Sequence, residues 1–313
     1  MRIPNFFILG APKCGTTALA RYLEEHPRIA FSREKETHHF CPDLPGHRTD
    51  RTDEEYRAEF FPHVRSHHRA AGEGTPFYLY SQEAIPRIRE YNPEARHVAM
   101  LRNPVDLVHS FHAQLLYNCE EDIPDFSEAW RAQEDRHRRQ RIPETCVNPS
   151  VLQYRRVAAL GEQIERLYTL WPAERILPVF FDDFRADTRG VYRRVLAFLG
   201  VPDDGRTEFP VENSSKYYRN RAFARLIFRR PASPVVRGAM ALTRRIAGGP
   251  TGILGRLHTT FNRREAPRPP LPLALRRELV AEFEPDIQRL EKLLDRDLSS
   301  WRALPTDEPG RDE

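Results

Sequence analysis

The most constraining segment of this chain is the junction between its first apolar run and the helix that follows. Phe6-Phe7-Ile8-Leu9 is a continuous apolar run ending at Gly10, the pattern of a buried strand. Thr16 to Glu25 carries Leu19, Tyr22 and Leu23 on one face at helical spacing, and His26-Pro27 stops it. Between them lies Gly10-Ala11-Pro12-Lys13-Cys14-Gly15-Thr16-Thr17. A glycine-rich turn from a strand into a helix makes an anion site, because loop N–H groups and the helix N-terminus point at one place.

The rest of the chain keeps alternating. Strands are predicted over Arg28–Phe31, His97–Leu101 and Ile176–Phe181. Thr52 with Glu55 forms a capping box ahead of Tyr56, Phe60 and Phe61, and Ala84–Tyr91 reads as a helix. Pro104 suits the first position of a helix running to about Tyr117. Further helices are predicted over Phe126–Gln140, Val151–Trp171, Thr188–Leu199 and about Leu275–Leu294. Strands alternating with helices give an α/β class: a P-loop-like three-layer fold with a central parallel sheet flanked by helices. The 313 residues, 40% of them hydrophobic, suffice for one domain over 1–313. Residues 222–270 are an Arg/Pro-rich stretch, expected to be a lid or acceptor-binding insertion, and 302–313 a frayed tail. No apolar run approaches the ~20 residues of a membrane span. The N-terminus lacks the pattern of a secretory signal, and Cys14, Cys41, Cys119 and Cys146 form no CxxC pair. A reduced, cytoplasmic protein is expected.

The net charge of +4 hides an asymmetry: Arg219 to Arg268 holds twelve arginines and one acid, Glu265, a net of +11 that leaves −7 elsewhere. Such a stretch suits a solvated face or an anionic partner, whether an acidic substrate, a phosphorylated ligand or an anionic membrane. No nucleic-acid motif accompanies it. Lysine, by contrast, occurs only at Lys13, Lys35, Lys216 and Lys292, so its placement is informative.

The ATP-binding loop has the form GxxxxGK[ST], with lysine after the second glycine. Here Thr16 takes that place and the lysine moves into the loop as Lys13. Pro12 to Thr17 instead resembles the PKxGTT loop of sulfotransferases that use 3′-phosphoadenylyl sulfate (PAPS), which binds the 5′-phosphosulfate. The family's second signature, an arginine at a strand end and a serine eight residues on, is similar to Arg102 after Leu101 and Ser110 in the next helix; the resemblance implies that they bind the 3′-phosphate. Gly72-Glu73-Gly74-Thr75-Pro76-Phe77-Tyr78 looks like the GExTPxY segment of carbohydrate-type and bacterial members. Val179 to Phe184 followed by Arg194 to Val201, and Asn213-Ser214-Ser215 with Arg219 and Arg221, resemble further stretches of the family. The resemblance covers most of residues 5–221 and implies Gly10, Pro12, Lys13, Cys14, Gly15, Thr16, Thr17, Arg102, Ser110, Arg219 and Arg221 as nucleotide-binding residues.

Sulfuryl transfer needs phosphate binding, stabilisation of the leaving phosphate oxygen and a base for the acceptor proton. Lys13, an ammonium inside the loop, suits the second task. For the base, Arg33 to Phe40 resembles the KExxxF segment of heparan-type members, which implies Glu36 beside Lys35. His38 and then His39 are the competing bases, since histidine titrates near neutrality, and Glu73 is a fourth candidate, preferred as a carboxylate set behind them. Arg219 and Arg221 would close over the 3′-phosphate or hold an acidic acceptor. His63, His67 and His68 have no metal-ligand spacing and are read as exposed. No metal is expected. The acceptor is a hydroxyl, in preference to an amine, of a small molecule, glycolipid or carbohydrate. Two rival functions are a P-loop kinase or NTPase, with Asp182-Asp183 as its acidic pair, and a basic membrane- or nucleic-acid-binding module built on residues 219–268.

Overall fold

The computed structural model describes residues 3–46, 49–210, 216–218, 263–265 and 269–304. Five parallel strands form its central sheet in the order β2-β3-β1-β4-β5. They are β1 (Phe6–Gly10), β2 (Ile29–Phe31), β3 (Ala70–Gly74), β4 (Arg96–Leu101) and β5 (Ile176–Phe180). β1 is central because Phe6, Phe7, Ile8 and Leu9 are each fully buried, as a strand covered on both faces must be. It pairs Ile8 with Gly74 on one side and Gly10 with Met100 on the other. A side chain at Gly72 would put a Cβ 2.2 Å from the Phe6 carbonyl oxygen, so this strand must be small-residued where it meets β1.

Helices α1 (Thr16–Glu24), α2 (Asp53–Phe60), α3 (Ala84–Tyr91) and α4 (Pro104–Tyr117) follow the first four strands. The Thr52–Glu55 capping box that starts α2 is made in both directions, at 3.2 and 2.9 Å. Two expected helices are broken. Phe126–Gln140 becomes α5 (Phe126–Arg131) and α6 (Gln133–His137), where the buried Gln133 side chain donates to the Trp130 carbonyl. Val151–Trp171 becomes a short 3-10 turn, α7 (Tyr154–Ala158) and α8 (Leu160–Leu170). The break has a tertiary cause. Asp286 accepts from the amides of Gly161 and Glu162 at 2.8 and 3.0 Å and so caps a new helix there. β5 ends one residue early, and Phe181 opens α9 (Phe181–Ala186), followed by α10 (Thr188–Leu199) and α11 (Leu273–Leu294). Gly200 closes α10 in the left-handed conformation, φ 70°.

The described residues divide into two compact units. The sheet lies in the first, within Met1–His109, Tyr154–Glu212 and Leu271–Glu313. The second lies within Ser110–Gln153 and Asn213–Pro270. Its Arg136 and Glu121 form a fully buried bidentate pair at 2.7 and 2.6 Å, and Glu121 also accepts the amides of Asp122 and Ile123. An antiparallel ribbon pairs β6 (Lys216–Tyr218) with β7 (Arg263–Glu265). Arg219, Arg221, most of the 222–270 stretch and residues 305–313 lie outside the described residues. No helix among the described residues is long and apolar enough to cross a membrane.

The chain is anchored as far as Arg302, which bridges Glu284 and Glu291 of α11 at 2.8 and 2.6 Å. Hydrogen bonds from Arg302 and the Leu298 amide hold the Glu291 carboxyl down from 4.5 to about 2. A carboxylate with a depressed pKa adds stability above its unfolded value and loses it as pH falls toward its folded one. Glu291→Gln is therefore expected to lose less stability than the parent between about pH 5 and about pH 3, read as urea midpoints at the two pH values.

Candidate active site

The loop after β1 is shaped by close approach. Gly10 leaves no room for a side chain, since a Cβ there would stand 3.0 Å from Met100. The backbone then turns through Lys13, φ 68°, and Gly15, φ 88°. Gly15 suits its left-handed φ, and a Cβ there would crowd the Phe181 and Phe184 rings at 3.2 and 3.3 Å. As N-cap of α1 it brings no side chain to the first-turn amides, which an anion can therefore take up. Pro12 and Thr16 are buried, and Lys13 and Thr17 half-buried. Cys14 is buried, its Sγ 3.7 Å from the Pro12 carbonyl oxygen. Burial pushes its thiol up to about 12 against the pull of Arg102 and Lys13, so it packs as a neutral group.

β1 leads through α1 to one side of the sheet and β4 leads to β5 on the other. The crevice between their carboxyl ends is thus a topological switch point, where open α/β sheets bind ligands. Arg102 stands there. It donates from a terminal guanidinium nitrogen to the Lys13 carbonyl at 2.9 Å, and its guanidinium lies 4.5 Å from the Phe181 ring centroid. Ser110, in the second unit, is buried on α4 at 6% exposure.

At the neighbouring strand end, the chain beyond β2 crosses the tip of β3, where the Glu36 amide donates to the Gly74 carbonyl at 3.1 Å. Glu36 and His38 both have left-handed backbones, φ 68° and 53°. Non-glycine residues hold that conformation at about 1–3 kcal/mol each, and only where surrounding structure fixes them. Lys35 Nζ hydrogen-bonds Glu36 Oε1. His38 Nε2 is 3.9 Å from Glu36 Oε2, and His38 Nδ1 is 3.7 Å from the buried Cys41 sulfur. The Glu36 side chain is 39% exposed and that of His38 only 7%, so Glu36 is the more accessible of the two candidates. His39 turns elsewhere, stacking on Tyr56 at 4.3 Å and lying 3.6 Å from Asp53.

Glu73 is fully buried beneath this segment. Both its oxygens lie 2.8 Å from Thr37 Oγ1, and it also accepts from Tyr56, Thr75 and Tyr78 hydroxyls at 2.7, 2.9 and 3.0 Å. Burial pushes its carboxyl above the usual carboxylate range, while the four hydroxyls pull it back. Thr37 and Phe181 went unmarked in the sequence. An aromatic directly after the last strand of the sheet is a signal for the second; for Thr37 there is none beyond a hydroxyl between two candidates.

The remaining acidic pair is engaged: Arg296 binds both Asp183 oxygens at 2.7 Å, and Trp301 Nε1 donates to Asp182 at 3.3 Å. His63 and His68 are half-buried rather than exposed, with His63 Nε2 2.8 Å from the Phe31 carbonyl oxygen; His67 is exposed as expected. Among the described residues no cluster of His, Cys, Asp or Glu has the makings of a metal site.

Residues 4–205 match the Sulfotransferase family. Over 106 residues the chain is 33% identical to the membrane-associated sulfotransferase kil1 of Dictyostelium discoideum, covering 33% of this chain and 21% of that protein. Over 201 residues it is 28% identical to heparan sulfate glucosamine 3-O-sulfotransferase 6 of Mus musculus, covering 64% and 53% of the two chains. The matches thus span about half or less of these curated relatives. A crystal structure of a sulfotransferase from Alicyclobacillus acidocaldarius superposes with a TM-score of 0.70 at 29% identity, over 97% of this chain and all of that one.

Proposed function

The chain belongs to the sulfotransferase family, and we propose that it moves a sulfuryl group from PAPS to a hydroxyl of a small-molecule, glycolipid or carbohydrate acceptor. One observation carries this reading. The loop that opens α1 and Arg102 meet at the switch point through the 2.9 Å Arg102–Lys13 contact, with Glu36 presented at the neighbouring strand end. The uncapped α1 N-terminus and the adjacent guanidinium suit a nucleotide carrying two separate anionic groups.

PAPS supplies a sulfuryl group whose bond to the phosphate oxygen breaks as a bond to the acceptor oxygen forms. The α1 amides with Thr16 and Thr17 hold the 5′ end, and Arg102 with Ser110 holds the 3′-phosphate. Lys13 places its ammonium against the charge that grows on the leaving phosphate oxygen. Glu36 takes the acceptor proton, with Lys35 hydrogen-bonded to its carboxylate and His38 as its neighbour. Arg219 and Arg221 are proposed to close over the 3′-phosphate or to hold an acidic acceptor. The stretch 219–268 would gather an acidic or membrane-borne acceptor. Four cysteines outside any disulfide accord with a cytoplasmic setting.

A magnesium-dependent kinase has less support, because Asp182 and Asp183 are already bound by Trp301 and Arg296. The test is transfer of radiolabelled sulfur from PAPS to a panel of phenolic, steroidal, glycolipid and oligosaccharide acceptors, with chelator present. Label in at least one acceptor class is expected. Label in none, with phosphate transfer from ATP instead, would overturn the proposal.

A further inference from the structure

Glu73 is an expensive residue for the place it occupies. It is fully buried, and its described hydrogen-bond partners are all hydroxyls, none of them a cation. A buried carboxylate held this way is harder to accommodate than a neutral side chain of the same shape. Unlike a neutral side chain, it supplies oxygens that only accept, so donors from several elements converge on one point. Tyr56 comes from α2, Thr75 and Tyr78 from just beyond β3, and Thr37 from the segment bearing the proposed base. Thr37 is tied further, lying 3.1 Å from the Tyr78 hydroxyl and accepting the His39 amide at 3.4 Å. Its two neighbours in sequence are Glu36 and His38, both left-handed.

We infer that Glu73 and Thr37 are a positioning pair: the buried carboxylate fixes Thr37, and Thr37 fixes the left-handed backbones of Glu36 and His38 that present the Glu36 carboxylate to the acceptor. Neither residue touches substrate. Released from Glu73, the 36–38 backbone relaxes toward ordinary conformations and carries the Glu36 carboxylate away from its place, while the nucleotide loop on the neighbouring strand is unaffected. The inference rests on Glu36 as base, as proposed above.

The test uses the full-length chain with Thr37→Val, which keeps the side chain's shape and removes its hydroxyl, beside Thr37→Ser, which restores it. PAPS cleavage with water as acceptor is followed as release of 3′,5′-adenosine bisphosphate, with calorimetric affinity for that nucleotide and hydrogen exchange measured in parallel. Thr37→Val is expected to slow cleavage by about 10- to 100-fold and to speed exchange over residues 35–41 by about tenfold. Nucleotide affinity and exchange in α1 should stay at parental values, and Thr37→Ser should recover both losses. Tyr78→Phe, which removes one donor from Glu73 and the 3.1 Å contact to Thr37 but keeps the Thr37 hydroxyl on Glu73, should give a smaller loss of the same kind. Parental cleavage and exchange in Thr37→Val would overturn the pairing, as would a parallel fall in nucleotide affinity, the mark of a general folding defect. Glu36→Gln separates the two levels. If that variant keeps its cleavage rate, the base assignment fails and the pairing with it. If it is inactive while Thr37→Val is not, the pairing alone fails.

Discussion

Glu36→Gln is expected to lower sulfuryl transfer by about 10²- to 10⁴-fold, the usual contribution of a general base, while binding 3′,5′-adenosine bisphosphate as tightly as the parent. The substitution keeps the side chain's size and removes only its capacity to take a proton. The nucleotide loop depends on β1, α1 and Arg102, none of which hydrogen-bonds the Glu36 side chain among the described contacts, so affinity should not follow rate. His38→Ala is the companion variant. Its Nε2 lies 3.9 Å from Glu36, so a loss smaller than that of Glu36→Gln marks it as a neighbour of the base. A rate that collapses in His38→Ala and survives in Glu36→Gln would exchange their roles. Single-turnover rates with PAPS and a responsive acceptor, set against calorimetric affinities, separate these cases.

Arg102→Ala should have its largest effect on affinity instead. The guanidinium is proposed to bind the 3′-phosphate, and it already fixes the Lys13 carbonyl at 2.9 Å while stacking on Phe181 at 4.5 Å. Removing one member of a charge-assisted contact costs about 2 kcal/mol or more, roughly a 30-fold rise in Kd for 3′,5′-adenosine bisphosphate. Rate should fall too, because the loop that carries Lys13 loses its brace. Arg102→Lys should rescue little, since an ammonium cannot stack and bond in the same fork geometry. A Kd within threefold or so of the parent in Arg102→Ala would place the 3′-phosphate elsewhere.

Much of this was legible in the residues because backbone needs dictated them. A fully apolar β1 and a left-handed glycine at the entry to α1 follow from local geometry, whereas the arginine at the end of β4 was marked by its resemblance to the family's second signature. β3 was not legible as a strand. Ala70-Ala71-Gly72-Glu73-Gly74 has no apolar run, because β1 leaves no room for a side chain at Gly72 and Glu73 is turned into a cluster of hydroxyls. The break between α7 and α8 was hidden for a different reason: the cap comes from Asp286, more than a hundred residues away in sequence. Thr37 shows the same limit within the site. Its neighbours were marked by the resemblance to the KExxxF segment and by the chemistry of histidine, but its own task depends on Glu73, Tyr56 and Tyr78 converging from three segments.

The most direct test of PAPS as donor is calorimetric titration of the full chain with 3′,5′-adenosine bisphosphate in excess chelator, with magnesium and ATP as the comparison. Binding of one nucleotide per chain at micromolar Kd or tighter, unchanged by chelator and much stronger than binding of ATP, is the expected result. No binding, or binding that requires magnesium and prefers ATP, would contradict it and return the loop at Gly10–Thr17 to the nucleotide triphosphates.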